Sequence, residues 1–282
     1  ECNLPGLLRI YGKIFAIVGT TDGIAKLCQK LQSYGMGDVR VEVGERLSYP
    51  EEKITRGYAW QLTELETDSL SVVLFTREGK ETVVTHGIPD EAFIRGKVPM
   101  TKEEVRSISL SKLQLTRNSV IYDVGAGTGS VSVEMAMQAV EGQVYAIEKK
   151  PEAVELLYNK EKFAADNLTI IEGLAPEACV DLPVPTHAFI GGSSGNLDKI
   201  IDLLLAKNPQ VRIVINCITL ETVSETISCI RRLEESGADK EWESEVVQLA
   251  VSRAKNIGRY HMMMGQNPVF IFCLFAEDVL PQ

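Results

Sequence analysis

Short apolar runs alternate with longer amphipathic segments from residue 101 onward. The apolar runs are rich in Val and Ile, and they predict strands at 119–125, 143–148, 168–173, 187–192 and 211–218. Apolar residues at helical spacing predict helices at 101–115, 130–140, 151–167, 196–208 and 220–237. Because apolar strands alternate with helices, the pattern predicts an α/β fold whose parallel sheet is covered by helices on both faces.

Two further strands, 244–253 and 267–275, follow without a helix between them. They predict an antiparallel pair at one edge of the sheet, joined by a long loop at 254–266. The first of the five helices begins with Thr101, and Glu104 follows three residues later. Since this is the spacing of a capping box, Thr101 is a candidate N-cap.

A smaller α/β unit is predicted at 13–79, before this sheet. Its strands and helix are predicted at 13–19, 22–35, 39–47 and 69–76. Between about residues 77 and 100, Gly, Pro and charged residues replace the periodic pattern. We therefore expect a domain boundary near residue 85, which gives domains at 1–85 and 86–282.

Composition narrows the classes of partner. The 282 residues carry 29 Lys and Arg against 39 Asp and Glu, a net charge of −10, which disfavours nucleic acid and anionic membrane surfaces. No apolar run is long enough to span a bilayer. The six Cys are scattered without a C-x-x-C pair, which indicates core residues in a reducing cytoplasm, and the spacing of the three His predicts no metal site. A start without Met or a secretory leader indicates a fragment or a processed chain.

Three glycines follow the strand at 119–125 with one residue between each pair. The stretch reads DVGAGTG, with Asp123 two residues before Gly125, then Gly127, Thr128 and Gly129. A glycine turn between a strand and a helix of such a sheet leaves backbone accessible to a nucleotide. The spacing G-x-G-x-G differs from the dinucleotide fingerprint G-x-G-x-x-G, and no P-loop lysine follows. A nicotinamide oxidoreductase is therefore disfavoured.

The D-x-G-x-G-x-G pattern resembles motif I of the Rossmann-like S-adenosylmethionine-dependent methyltransferases. The resemblance implies that S-adenosylmethionine is the cofactor, that Asp123 helps to hold its cationic amino-acid end, and that the glycines make room for it. Glu148, which ends the strand after the glycine motif, would accept the ribose hydroxyls, or else is a solvated charge at a strand end. Many relatives have an acid where Leu174 stands, so adenine recognition would rest on the backbone of Gly173, Leu174 and Ala175. Gly191 closes the predicted site at the end of the fourth strand.

Several separated segments, including HGIPDEAFIRGKVPMTKEEVR, IEGLAPEA and GRYHMMMGQNPVFIF, resemble the decarboxylating precorrin-6Y methyltransferases of cobalamin biosynthesis (CbiT type) over about residues 86 to 282. Residues 13–79 resemble the C-terminal half of the CbiE-type tetrapyrrole methyltransferases. The two types occur fused as a bifunctional precorrin-6Y C5,15-methyltransferase. Because the glycine-rich half of the CbiE type is missing, we expect no catalysis from residues 1–85 alone.

The resemblance implies methylation of carbon 15 of precorrin-6Y or cobalt-precorrin-6Y, with decarboxylation of the acetate on ring carbon 12. It also implies a homotetramer. Because this tetrapyrrole is a polycarboxylate, Arg253, Lys255, Arg259 and His261 are candidates for a substrate rim, with Met262–Met264 against the macrocycle. The alternative is a solvated loop with buried methionines.

Individual roles are open at two positions. His261 is a candidate proton relay during decarboxylation. Thr101 matches a family position near the cofactor, but it is equally a candidate N-cap. Two other hypotheses apply to the whole chain. It is a methyltransferase of the same fold that acts on another small molecule or on RNA, or it is a scaffold whose first domain docks a partner.

Overall fold

The structure, a computed structural model, describes residues 2–78, 85–96, 98–149, 154–235 and 242–276. The chain divides into two compact units. Residues 1–84 and 160–167 form the first, and residues 85–159 and 168–282 form the second. None of the helices in the described ranges has the length and apolar character needed to cross a bilayer.

The first unit is a four-stranded antiparallel sheet with two helices. Its elements are α1 (Leu4–Tyr11), β1 (Lys13–Val18), α2 (Gly23–Ser33), β2 (Arg40–Glu45), β3 (Lys53–Tyr58) and β4 (Ser71–Thr76). The strand order is β1-β4-β2-β3. Leu8 of α1 and Leu31 of α2 share a buried cluster with Val73 of β4, so both helices pack on one face of the sheet. The sequence pattern predicted β1, α2, β2 and β4 but not α1 or β3.

The second unit contains a seven-stranded sheet. Its parallel strands are β5 (Val120–Val124), β6 (Gln143–Glu148), β7 (Leu168–Glu172), β8 (His187–Ile190) and β9 (Arg212–Cys217). The helices are α3 (Glu103–Leu113), α4 (Ser130–Gln138), α5 (Val154–Lys162), α6 (Leu197–Lys207) and α7 (Leu220–Glu235). The remaining strands are β10 (Trp242–Leu249), β11 (Ser252–Ile257), β12 (Tyr260–Gly265) and β13 (Val269–Ala276).

The sheet order β10-β13-β9-β8-β5-β6-β7 confirms the predicted Rossmann-like α/β fold. Both β13 and β10 run antiparallel to their neighbours, and β10 lies at the edge, as predicted. Every residue of β8 is buried, which indicates cover on both faces of the sheet. The chain builds outward in one direction from β5 to β7 and in the other from β8 to β9, so the topological switch point lies between β5 and β8. Ligands of such sheets bind at this point, outside the carboxyl ends of the strands.

Two local predictions were wrong. Residues 254–266, predicted as a loop, form most of an antiparallel hairpin in which β11 pairs with β12 and with no strand of the large sheet. The N-cap of α3 is Lys102 rather than Thr101, and its side chain makes no capping hydrogen bond. The backbone N–H of Glu103 instead donates to Oδ1 of Asp90 at 3.0 Å, so a carboxylate 13 residues away replaces the local cap.

Candidate functional site

The glycine turn joins β5 to α4 and lies at the switch point between β5 and β8. Gly125, Gly127 and Gly129 have φ angles of 76°, 55° and 74°, a region that residues with side chains rarely adopt. A Cβ atom on Gly125 would lie 2.8 Å from the carbonyl oxygen of Gly192, so no side chain fits there. The predicted glycine turn between strand and helix is thus confirmed.

Two polar side chains hold the turn in place. The N–H of Gly127 donates to Oε2 of Glu148, at the end of β6, over 2.9 Å. The buried amide of Asn159, on α5, donates from Nδ2 to the carbonyl oxygens of Thr128 and Ile94, each at 2.8 Å. The turn is therefore fixed by residues that follow it in the chain, and the sequence pattern gave no sign of Asn159.

Asp123 lies near the carboxyl end of β5, just before the glycine turn. The residue has no exposed surface, and its carboxylate accepts a short hydrogen bond from Oγ of Ser132 on α4. Burial raises the pKa of Asp123 to about 7, and the nearby carboxylate of Glu148 adds to the rise although the Ser132 hydrogen bond opposes it. The carboxylate is thus excluded from solvent, and its expected contact with a cationic ligand stays a prediction.

Two cavities open on the exposed side of the turn. The smaller, about 250 Å³, lies at the ends of β6 and β7, and its walls include Glu148, Lys149, Gly173, Leu174 and Ala175. Leu174 is 41% exposed and so offers an apolar surface there. These walls contain every residue predicted from sequence to meet the ribose and the adenine.

The larger cavity, about 440 Å³, lies on the other side of the same glycines. Gly125, Gly127 and Gly191 contribute to both cavities, as does Pro99. Further walls of the larger cavity come from four regions of the chain: Met100, Thr101, Lys102, Val105, Thr128, Ser130, Asn216, Ile218, Gln266, Asn267 and Val269. Thr101 thus lines the cavity, as its candidate role near a cofactor requires, and does not cap the helix.

Arg253 is paired with carboxylates near the start of α3. Its guanidinium donates two hydrogen bonds of 2.7 Å to the carboxylate of Glu104, and it lies 3.4 Å from Asp90 and 3.6 Å from Glu103. The hydrogen bonds with Glu104 raise the pKa of Arg253 further above its ordinary value. The arginine fastens β11 to the start of α3, and its place in the substrate rim stays a prediction.

The other residues of the predicted rim lie on the hairpin and line neither cavity. Arg259, in the turn, stacks on Tyr260 with 5.1 Å between the guanidinium carbon and the ring centre. His261 and Lys255 are exposed. All three methionines of the hairpin are exposed, with 47% for Met262, 63% for Met263 and 44% for Met264. The alternative of a solvated loop with buried methionines is therefore wrong. The hairpin reaches the larger cavity through Gln266 and Asn267, which directly follow β12.

The residues that sequence reasoning missed are Lys102, Asn216, Gln266 and Asn267. Asn216, near the end of β9, exchanges hydrogen bonds of 3.0 and 3.1 Å with Ser109 on α3. A polar side chain at the carboxyl end of a parallel strand is a signal that could have identified Asn216. The Gln266 and Asn267 pair gives no such signal, because its place at the cavity depends on how the hairpin turns back.

Comparison with known proteins gives consistent matches over the second unit. Residues 91–276 match the sequence model of a family described as "Precorrin methyltransferase domain". The "Cobalt-precorrin-6B C(15)-methyltransferase (decarboxylating)" of Salmonella typhimurium is 41% identical over 192 residues, which are 67% of this chain and 96% of that relative. A relative in Pyrobaculum calidifontis named "Probable cobalt-precorrin-6B C(15)-methyltransferase (decarboxylating)" is 43% identical over 68% of this chain and 97% of its own length.

A solved structure agrees with these sequence matches. The crystal structure of a precorrin-6Y C5,15-methyltransferase from Geobacter metallireducens has a TM-score of 0.63 at 36% identity. The match covers 69% of this chain and all of that one.

Proposed function

Because the chain belongs to the precorrin methyltransferase family, we propose that it is a methyltransferase of cobalamin biosynthesis that acts on carbon 15 of a precorrin-6-type tetrapyrrole and removes carbon dioxide from the acetate on ring carbon 12. Its methyl donor would be S-adenosylmethionine. The observation that carries the proposal is the pair of cavities that meet at the glycine turn, at the switch point of the sheet.

The shape and chemistry of the smaller cavity fit the nucleoside end of this donor. Glu148 at the end of β6 is placed to accept ribose hydroxyls, and Leu174 offers an apolar surface to an adenine ring. The glycines at the junction leave space that a Cβ atom at Gly125, Gly127 or Gly191 would narrow. When bound, S-adenosylmethionine supplies a methyl group on a sulfonium, which needs in-line placement of the acceptor more than a nucleophilic side chain.

The larger cavity suits the meeting of donor and acceptor. Thr101 and Thr128 line it beside the glycine turn, while Met100, Val105 and Ile218 give it apolar walls. Lys102 supplies a positive charge at the rim for a carboxylate of the acceptor. In decarboxylation the bond to the carboxyl carbon breaks, its electron pair enters the conjugated ring, and the acetate carbon takes up a proton. The chain's task is then to orient the macrocycle and exclude water.

The roles proposed for the hairpin and the first unit are separate from this chemistry. We propose that Arg259, Lys255 and His261 meet acceptor carboxylates or, in the case of His261, relay a proton when the macrocycle extends beyond the cavity. Residues 1–85 would be the C-terminal half of a CbiE-type methyltransferase without activity of its own. We also propose a homotetrameric assembly, on family resemblance alone.

The first test is ligand binding followed by mass analysis. Calorimetry with S-adenosylmethionine and with NADH should show binding of the first alone. Incubation with cobalt-precorrin-6B and, separately, with precorrin-6Y should then yield a product that has gained one methyl group and lost carbon dioxide. Binding without a mass change in either acceptor would retain the methyltransferase and reject the tetrapyrrole. Binding of NADH alone would reject both.

A matched pair of variants locates the site. Gly127→Val should abolish S-adenosylmethionine binding while the protein stays folded, because the new side chain fills the junction of the cavities. Gly258→Val is the control, since Gly258 has a similar φ of 60° but open space around it, at the tip of the hairpin. Equal binding by the two variants would contradict the assignment of the cavities.

A further inference from the structure

We propose that Arg106 is a positioning residue for the larger cavity, where the methyl donor would meet its acceptor. Arg106 would act through Asp90 and Glu134. The inference rests on the proposed function, since it concerns binding of S-adenosylmethionine. Arg106 lines neither cavity and has no exposed surface. Its effect would therefore pass through the groups that it holds, which include one wall of the larger cavity.

The guanidinium of Arg106 joins three segments of the second unit. Nε donates to Oε1 of Glu134 at 3.0 Å, and Nη1 donates to Oδ1 of Asp90 at 2.9 Å. Nη1 also donates to the carbonyl oxygen of Thr101 at 2.5 Å, and Nη2 donates to the carbonyl oxygen of Ile88. The ring of Phe93 lies 4.7 Å from the guanidinium carbon and covers one face. A planar group with five donors can hold this many acceptors in fixed directions, which an ammonium cannot.

Glu134 connects Arg106 to the glycine turn. It lies on α4, which begins directly after Gly129, and it is fully buried. Besides Arg106, its carboxylate accepts from the N–H groups of Gly87 and Ile88, each at 3.2 Å. Burial raises the pKa of Glu134, although Arg106 opposes the rise. The helix behind the turn and the segment at 87–88 are thus held at one point.

Asp90 connects Arg106 to the cavity wall and to the hairpin. It is 2% exposed, and Oδ1 also accepts from the N–H of Glu103 at the start of α3. Its Oδ2 lies 3.4 Å from Arg253 of β11 and 3.8 Å from Nζ of Lys102. The carboxylate therefore fixes the first turn of α3, and with it Lys102, which lines the cavity.

Loss of the guanidinium would change the position of the Thr101 backbone. The carbonyl oxygen of Thr101 is held by Arg106, while other atoms of Thr101 line the cavity. Without the arginine, two buried carboxylates and two carbonyl oxygens lose a donor, and the backbone from Pro99 to Lys102 must shift to find others. Because ligand affinity depends on placement within about 1 Å, such a shift should weaken binding of the donor.

The experiment compares Arg106→Lys with a second buried arginine in the same unit. Arg212 is 4% exposed, donates to the carbonyl oxygen of Lys112 at 2.6 Å and stacks on Phe275 at 4.5 Å, but it lies at the opposite end of its strand from both cavities. Thermal unfolding gives the stability of each variant, and calorimetry well below the midpoint gives the Kd of S-adenosylmethionine. We expect a loss of stability in both variants, with Kd raised roughly tenfold or more in Arg106→Lys and within about twofold in Arg212→Lys.

A milder variant keeps the test decisive if Arg106→Lys does not fold. Glu134→Gln retains an oxygen for Nε of Arg106 but offers an amide where the N–H of Gly87 now donates. It should weaken binding about threefold while the chain stays folded. The inference is overturned if Arg106→Lys, or Glu134→Gln where the former does not fold, binds as tightly as Arg212→Lys. If the unaltered protein does not bind S-adenosylmethionine, the proposed function fails instead.

Discussion

Asp123 and Glu148 end neighbouring strands, yet their environments differ. Glu148 lines the smaller cavity, whereas Asp123 is fully buried and accepts a hydrogen bond from Ser132. Among the residues that the structure describes, its second carboxylate oxygen, Oδ1, has no hydrogen-bond partner. A buried carboxyl with one free oxygen is costly to ionise, which explains why its pKa rises to about 7. Asp123 can still act on a cation above the turn through its field, because a short distance in a dry interior screens charge weakly.

This environment predicts a pH-dependent affinity for the methyl donor. In the free protein the carboxyl of Asp123 is largely protonated below its pKa of about 7, and a cationic ligand favours the ionised form. Binding should therefore release a proton, and affinity should rise between about pH 6 and pH 7.5, by at most about tenfold per pH unit. Calorimetry in two buffers of different ionisation enthalpy measures both effects.

Asp123→Asn is the control for this prediction. The amide keeps the size of the side chain but cannot ionise, so affinity should become flat over the same pH range and proton release should disappear. An equally steep pH dependence in the variant would place the titrating group elsewhere.

The hairpin of β11 and β12 is held near its base by one side chain, that of Arg253. Its register places Arg253 opposite Met264 and Lys255 opposite Met262, so these four side chains share one face. Arg253 and Lys255 are the cations of this face, and Arg253 donates two hydrogen bonds to Glu104 on α3. The hairpin is therefore fastened at the base, and Gln266 and Asn267 follow it directly into the cavity wall.

Glu104→Gln should be the milder change, and the double variant should be little worse than Arg253→Gln alone. Glu104→Gln removes only the pair with Arg253, whose side chain is 36% exposed, so we expect a loss of about 1 kcal/mol in the free energy of unfolding. Arg253→Gln should lose more, because it also removes the contacts with Asp90 and Glu103. Urea denaturation measures these values. Additive losses would mean that the two residues act independently. Tighter acceptor binding by Glu104→Gln would indicate that Arg253 binds a carboxylate of the acceptor directly.

Each unit has a buried cluster of its own. The buried cluster of the first unit contains residues between Leu4 and Phe75, and that of the second contains residues between Tyr122 and Leu274, with no residue in common. Both cavities at the glycine turn are lined by the second unit alone. The relatives named above match this part of the chain over nearly their whole length. The second unit thus carries the elements that the proposed function requires.

A shortened chain that begins at Thr85 should fold and bind S-adenosylmethionine with a Kd within about threefold of the full chain, because its core and its cavities are complete. Some stability should be lost, since residues 160–167 group with the first unit. Calorimetry and thermal unfolding of both chains measure this. A folded but non-binding short chain would show that the first unit contributes to the site.

The five parallel strands, the glycine turn and the antiparallel edge of the second unit were predictable from sequence. These features depend on local periodicity and on the special backbone angles of glycine, which neighbouring residues express directly. Glu148, Gly173, Leu174, Ala175 and Gly191 could be placed at the site for the same reason, since residues at the carboxyl ends of parallel strands meet at one edge of the sheet.

Burial and charge pairing were decided only by the folded chain. Arg253 pairs with Glu104, 149 residues away, and Arg106 with Glu134, 28 residues away. Asp123 is fully buried, and Arg259 and His261 lie on the hairpin and line neither cavity. A charged residue shows its type in the sequence, but its ionisation and its freedom to bind depend on partners and on solvent exclusion. Those arise only when distant segments pack together.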